Sequence, residues 1–241
     1  MFENNNGYFT AQQPATTGTL AKSFMANVFL WMTVAMFVTA ATAFWFASDI
    51  SLITSLVNVE TGGMTGLGWI VTLAPLGFVL LMSLGYQKLS PAILTLLFLG
   101  FSILMGMSLS FVLLIYTAAS VYKTFAITAG MFGIMAVTGY TTKTDLTKFG
   151  SIMMMGLIGI ILAMVVNIFL KSSALEFIIS IVGVLVFTGL TAWDVQKLKR
   201  IGTADMDQVN TKKMSIMGAL TLYLDFINLF LFLLRFLGDR K

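Results

Sequence analysis

After a polar beginning, the chain alternates between long apolar runs and short polar breaks. Residues 1–20 are rich in Asn, Gln and Thr and carry Pro14 and Gly18. They lack the basic stretch and apolar core of a signal peptide and are expected to form a disordered tail. Seven apolar runs follow, at roughly 24–46, 67–84, 92–116, 124–140, 151–170, 175–195 and 214–237. Each is close to the length of about 20 residues that crosses a hydrocarbon core as a helix. The pattern predicts an all-α integral membrane protein in which residues 21–241 form one domain of seven transmembrane helices. Pro75, inside the second run, predicts a kink. The short gap between the fourth and fifth runs predicts that these two helices pair as an antiparallel hairpin.

Composition supports the same class. The chain of 241 residues is 58% hydrophobic and 10% charged, where soluble domains average about 25% charged residues. No room remains for a sizeable soluble domain. The net charge of +4 comes from residues in loops and at helix ends. It reads as a topology signal, because nucleic-acid binding would need a basic stripe with aromatics in a soluble region.

Orientation follows from where the cations fall. With the N-terminus inside, the cytoplasmic side collects Lys22, Lys88, Lys143, Lys148, Lys197, Lys199, Arg200, Lys212 and Lys213. The opposite side collects Lys123, Lys171, Arg235, Arg240 and Lys241. Nine against five favours a cytoplasmic N-terminus and an external C-terminus. The loop after the first run carries Asp49 and Glu60 and no cation, which agrees.

The absences narrow the chemistry. Without Cys there are no disulfides, thiolate metal sites or cysteine nucleophiles. Without His there is no Ser-His dyad and no histidine-ligated zinc or haem. An enzyme is not expected, nor a resident cofactor. Any pH sensing near neutrality falls to carboxylates. Gly100 and Gly106, Gly130 and Gly133, Gly156 and Gly159, and Gly183 and Gly189 are expected at close helix contacts. The 17 Met residues read as adaptable packing or lipid contact.

Two of the ten acids lie inside apolar runs. Asp225 has no Lys or Arg within nine residues on either side, and Asp194 closes the run 181–194. A carboxylate at mid-bilayer depth costs about 2.5 kcal/mol or more, so such a residue is a functional-site candidate. Thr221 and Asn228 fall on the helical face of Asp225 at i−4 and i+3. Thr191 is a third polar residue that could support the pair. Two neighbouring carboxylates cannot both ionise cheaply and would titrate as a unit. Deprotonated, they are hard oxygen ligands suited to calcium, too few for a tight cage and hence suited to weak, transient binding. Asp194 lies only ~4.5 Å along its helix from Lys197, while Asp225 lies ~18 Å from Lys213. The two meet only if the seventh helix begins outside the membrane, or the sixth bends or starts deeper. Arg235, ~15 Å beyond Asp225 along the helix, reads as a membrane-edge anchor.

The stretch Gly189-Leu190-Thr191-Ala192-Trp193-Asp194-Val195-Gln196-Lys197-Leu198-Lys199, followed by Gly218-Ala219-Leu220-Thr221-Leu222-Tyr223-Leu224-Asp225-Phe226-Ile227-Asn228-Leu229-Phe230, closely resembles the Bax inhibitor-1 family. Ile115-Tyr116-Thr117-Ala118-Ala119-Ser120, Thr128-Ala129-Gly130-Met131-Phe132-Gly133 and Gly139-Tyr140-Thr141-Thr142-Lys143-Thr144-Asp145-Leu146 resemble its bacterial inner-membrane branch. The resemblance covers about residues 20–240. It implies two three-helix layers wrapped around a central last helix, and a pH-sensitive calcium leak channel of the bacterial inner membrane. It also implies that Asp194 and Asp225 form the pH-sensing, pore-closing pair, acting on calcium and protons. An alternative role implied by the family is a regulatory membrane protein that modulates a membrane protease or a stress or cell-death pathway. One departure stands out. A bacterial member latches its aspartates with an arginine of the second span, whereas 67–84 holds no Arg or Lys here and Lys88 is the nearest cation.

Overall fold

The computed structural model describes residues 17–58, 63–204 and 206–241. Glu60 and Asp205, together with the tail up to residue 16, lie outside the described residues. Eight helices account for nearly all of the described chain: α1 (Thr17–Ser48), α2 (Ile50–Leu56), α3 (Gly66–Gly85), α4 (Pro91–Ile115), α5 (Ala118–Thr141), α6 (Thr147–Leu170), α7 (Ser173–Gly202) and α8 (Gln208–Leu237). All but α2 are long and apolar enough to cross a bilayer.

The helices outrun the apolar runs because polar residues start them. Thr65, Ser90, Thr117, Ser172 and Asp207 each turn a side-chain oxygen onto a free amide of the first turn, meeting donors that have no partner inside the helix. Pro91 follows Ser90 where its missing N–H costs nothing. Asp49 caps the additional short helix α2, accepting from the Ser51 amide at 2.9 Å. At the start of the chain, α1 begins at Thr17, so residues 17–20 are helical and not part of the expected tail. The helix α3 continues on both sides of Pro75, which is buried.

Burial orders the bundle. In the most apolar stretch of α8, 72% of residues are buried, against 6% in α6. The bilayer dissolves an apolar helix, so the outermost helix is the most apolar and the central one carries polar groups. The central helix α8 touches α1, α4, α5 and α7. On one side α1 packs on α4, which carries α3; on the other α5 and α6 both pack on α7. This is the arrangement of two groups of three helices around the last helix. Tyr223 anchors it with no exposed surface. Its hydroxyl lies 2.8 Å from that of Thr39 on α1, which donates to the Ser102 carbonyl of α4 at 2.9 Å. The rings of Phe98 and Phe101 meet it edge-on.

The expected hairpin of the fourth and fifth spans is corrected by this packing. Both helices pack on α7, which takes the place each would have offered the other. Glycines explain the preference. A Cβ on Gly139 of α5 would collide with the Ala192 backbone of α7, and one on Gly150 of α6 with the Trp193 ring. Gly106 admits α1, since its Cβ would stand 2.6 Å from the Thr39 carbonyl oxygen. Gly100, Gly156, Gly183 and Gly189 also face neighbouring side chains. Gly130, Gly133 and Gly159 do not: a Cβ there meets nothing within 4 Å, so the expectation of close contact fails at these three.

Lysines of the later helices cap the ends of earlier ones. The Lys199 ammonium donates to the Tyr140 carbonyl near the end of α5 at 2.7 Å and lies over that ring. Lys213, nearly buried, donates to the Tyr86 and Gln87 carbonyls just past α3, at 3.4 and 3.3 Å. Cations there complement the negative end of a helix.

Candidate intramembrane carboxylate site

The depth problem is solved by the helix ends. Gly218 faces Leu198, and Gly183 faces Phe232. The same antiparallel register sets Asp225 near Asp194 and places the start of α8 roughly 9 Å beyond the end of α7. Helix α8 therefore starts beyond the level where α7 ends, which brings the two aspartates together despite their different distances from Lys197 and Lys213.

They do meet. Asp194 and Asp225 are 7% and 5% exposed, interact with each other through their carboxyl groups and line a cavity of about 500 Å³ between α6, α7 and α8. The ion pairs among the described residues are Arg200–Asp145 and Arg240–Glu176, and neither includes these two. The Asp225 Oδ2 atom is buried with no hydrogen-bond partner. A buried acceptor without a donor is costly. A proton held between the two carboxyl groups, or a cation drawn to them, would relieve that cost.

The supporting residues divide. Thr221 and Asn228 line the cavity, and each also bonds its own helix: the Thr221 hydroxyl donates to the Met217 carbonyl at 3.1 Å and one Asn228 amide hydrogen to the Leu224 carbonyl at 2.8 Å. Thr191 does not line the cavity; its hydroxyl donates to the Phe187 carbonyl at 2.8 Å. Among the described residues no group of three or more acidic, His or Cys side chains could hold a metal ion. The pair thus has no third ligand of that kind.

One polar assembly escaped the sequence reading. At the end of α7, Gln196 accepts from the Leu146 amide at 2.8 Å and donates to the Thr144 carbonyl at 2.8 Å. Arg200 donates to Gln196 at 2.9 Å and to Asp145 at 2.6 Å. This clamp fixes the α5–α6 connection to the helix that carries Asp194, two residues before Gln196. The Thr147 hydroxyl and Arg200 hold the Asp145 carboxyl well below the usual carboxylate range. A depressed carboxyl contributes stability that is present above its ordinary value of about 4 and is lost only as pH falls through the depressed one. Carboxyl ¹³C NMR should therefore find Asp145 ionised at about pH 3, and Thr147→Val should shift its titration upward. Because the ion pair is exposed, global stability should barely change.

Comparison with known proteins shows the family of the chain. The family model "Inhibitor of apoptosis-promoting Bax1" matches residues 21–241. An inner membrane protein of Escherichia coli, YbhL, is 48% identical over 91% of this chain and 93% of its own length. Uncharacterized proteins of Rickettsia prowazekii and Borreliella burgdorferi are 45% and 44% identical, over 91% and 92% of this chain and 91% and 94% of their own. With a model covering both aspartates and nearly all of the described helices, the chain belongs to the Bax inhibitor-1 family.

Proposed function

We propose that this protein is a pH-sensitive leak for calcium and other cations in the bacterial inner membrane, controlled by the Asp194–Asp225 pair. The observation that carries the reading is the pair itself: two buried carboxyl groups on facing helices, sharing one cavity, outside every ion pair of the described residues. A shared proton and a bound cation are alternative ways to neutralise them. While the proton is held, the site offers a cation little. Once it leaves, two negative charges face the cavity and attract a hard cation. With only two carboxylates the ion binds loosely and can move on, as permeation requires. The excess of Lys and Arg at the α5–α6 and α7–α8 connections favours a cytoplasmic position for that end and for the N-terminus, with the C-terminus outside.

The test is purified protein in liposomes loaded with a calcium dye. Downhill calcium entry that varies with pH, and that is missing from empty vesicles, supports the leak. Saturable movement of a substrate against its gradient would instead indicate a proton-coupled transporter. Vesicles as tight as empty ones at every pH would sink the leak and favour the regulatory role.

A further inference from the structure

The cavity that holds the aspartates shares lining residues with a second one. A half-buried stripe on α8, formed by Thr221, Leu224, Asn228 and Leu231, runs from the pair towards Arg235. Leu231 and Arg235 also line a second cavity of about 560 Å³, at the end of the bundle where the C-terminal tail is pinned to the α4–α5 connection. Met164 of α6 is shared as well. Arg235 is the one charged residue that lines both.

No ion pair among the described residues includes it. The carboxylate of the outer cavity, Glu176, is engaged by Arg240 at 3.6 Å. Asp239, beyond the end of α8, accepts from the Ser120 hydroxyl at 3.1 Å. What Arg235 does meet is the face of the Phe232 ring, 5.9 Å from its guanidinium carbon. An arginine stays protonated at every physiological pH. A fixed positive charge, on an exposed side chain, therefore borders both cavities.

Resting on the leak reading above, we propose that Arg235 is the charge filter of the path, setting how readily cations reach the aspartates and restraining divalent ions more than monovalent ones. Coulomb energy scales with the charge of the ion. Removing one fixed charge should multiply calcium flux by about the square of its effect on potassium flux. A guanidinium charge is fixed, so its loss should leave the steepness of the pH profile untouched. That separates it from the aspartates, and from a residue that only holds the helix in place.

The experiment compares wild type, Arg235→Lys and Arg235→Gln in liposomes, with calcium and potassium dyes and matched protein content. For Arg235→Gln the expected result is about a tenfold rise in calcium flux and about a threefold rise in potassium flux, with a pH profile of unchanged steepness. Arg235→Lys keeps the charge and should behave as wild type. Equal rises for both ions, no rise, or an equal effect of the Lys variant would overturn the proposal. If Arg235→Gln cannot be recovered folded, the wild type in rising concentrations of impermeant choline chloride provides the same test. Screening should then raise calcium flux faster than potassium flux, and parallel changes would overturn the filter. Wild-type vesicles that leak no more than empty ones would sink the leak reading itself, whereas leaking vesicles with an unaltered calcium-to-potassium ratio in Arg235→Gln would sink only the filter.

Discussion

Gly139→Val should leave the protein unable to assemble its bundle. A Cβ at Gly139 collides with the backbone of Ala192 on α7, and a helix backbone cannot rotate aside as a side chain can. Overpacking against side chains typically costs about 1–3 kcal/mol, and backbone collision should exceed that range. Fluorescence melting and size-exclusion profiles in detergent should show an aggregated or strongly destabilised species. Gly130→Ala and Gly133→Ala, on the same helix, are the controls. A Cβ at either position meets nothing within 4 Å, so both variants should melt with the wild type or slightly above it, given the cost of glycine inside helices. If Gly139→Val melted with these controls, the close contact of α5 and α7 would be wrong.

The second large effect is on flux. Asp225→Asn removes the acid that can share a proton with Asp194 while keeping nearly the same shape. Wild-type calcium flux should change by up to about tenfold per pH unit where the pair titrates, as expected of a single proton equilibrium. In Asp225→Asn that dependence should flatten to less than about twofold over the same interval. Asp194→Asn should do the same, and the double variant should add little, because the two residues act as one unit. The melting temperature of Asp225→Asn should not fall, since the substitution replaces a buried acid whose Oδ2 has no hydrogen-bond donor. A pH profile that survived both substitutions would refute the gate.

These two effects were unequally visible in the sequence. Asp194 and Asp225 stood out because a carboxylate in an apolar run is rare for a physical reason, its cost in hydrocarbon. The spans were legible for the same reason, yet hydropathy marks the part of a helix that lies in lipid and not the helix itself. The polar turns 17–23 and 196–202 were therefore missed. The helix α2 is too short to register as a span, and Asp49 ahead of it was its available signal. Gly139 was not among the glycines read as contacts, while Gly130 and Gly133 were. Spacing along one helix does not reveal which face meets a partner. Gln196, Arg200 and Lys213 looked like ordinary helix-end residues, because their partners lie far away in sequence, at 144–146 and at Tyr86 and Gln87.

The central position of α8 bears on biosynthesis. The ribosome makes this helix after every helix that packs on it. Thr39 must wait for Tyr223, and Gly183 for Phe232, with the first six spans already in the bilayer and solvated by lipid where α8 will later sit. Insertion and compaction are thus separate events in the life of the chain, in that order. A nascent chain arrested before Gln208 should be fully inserted yet protease-sensitive, and release of the remaining 208–237 should convert it to the resistant form.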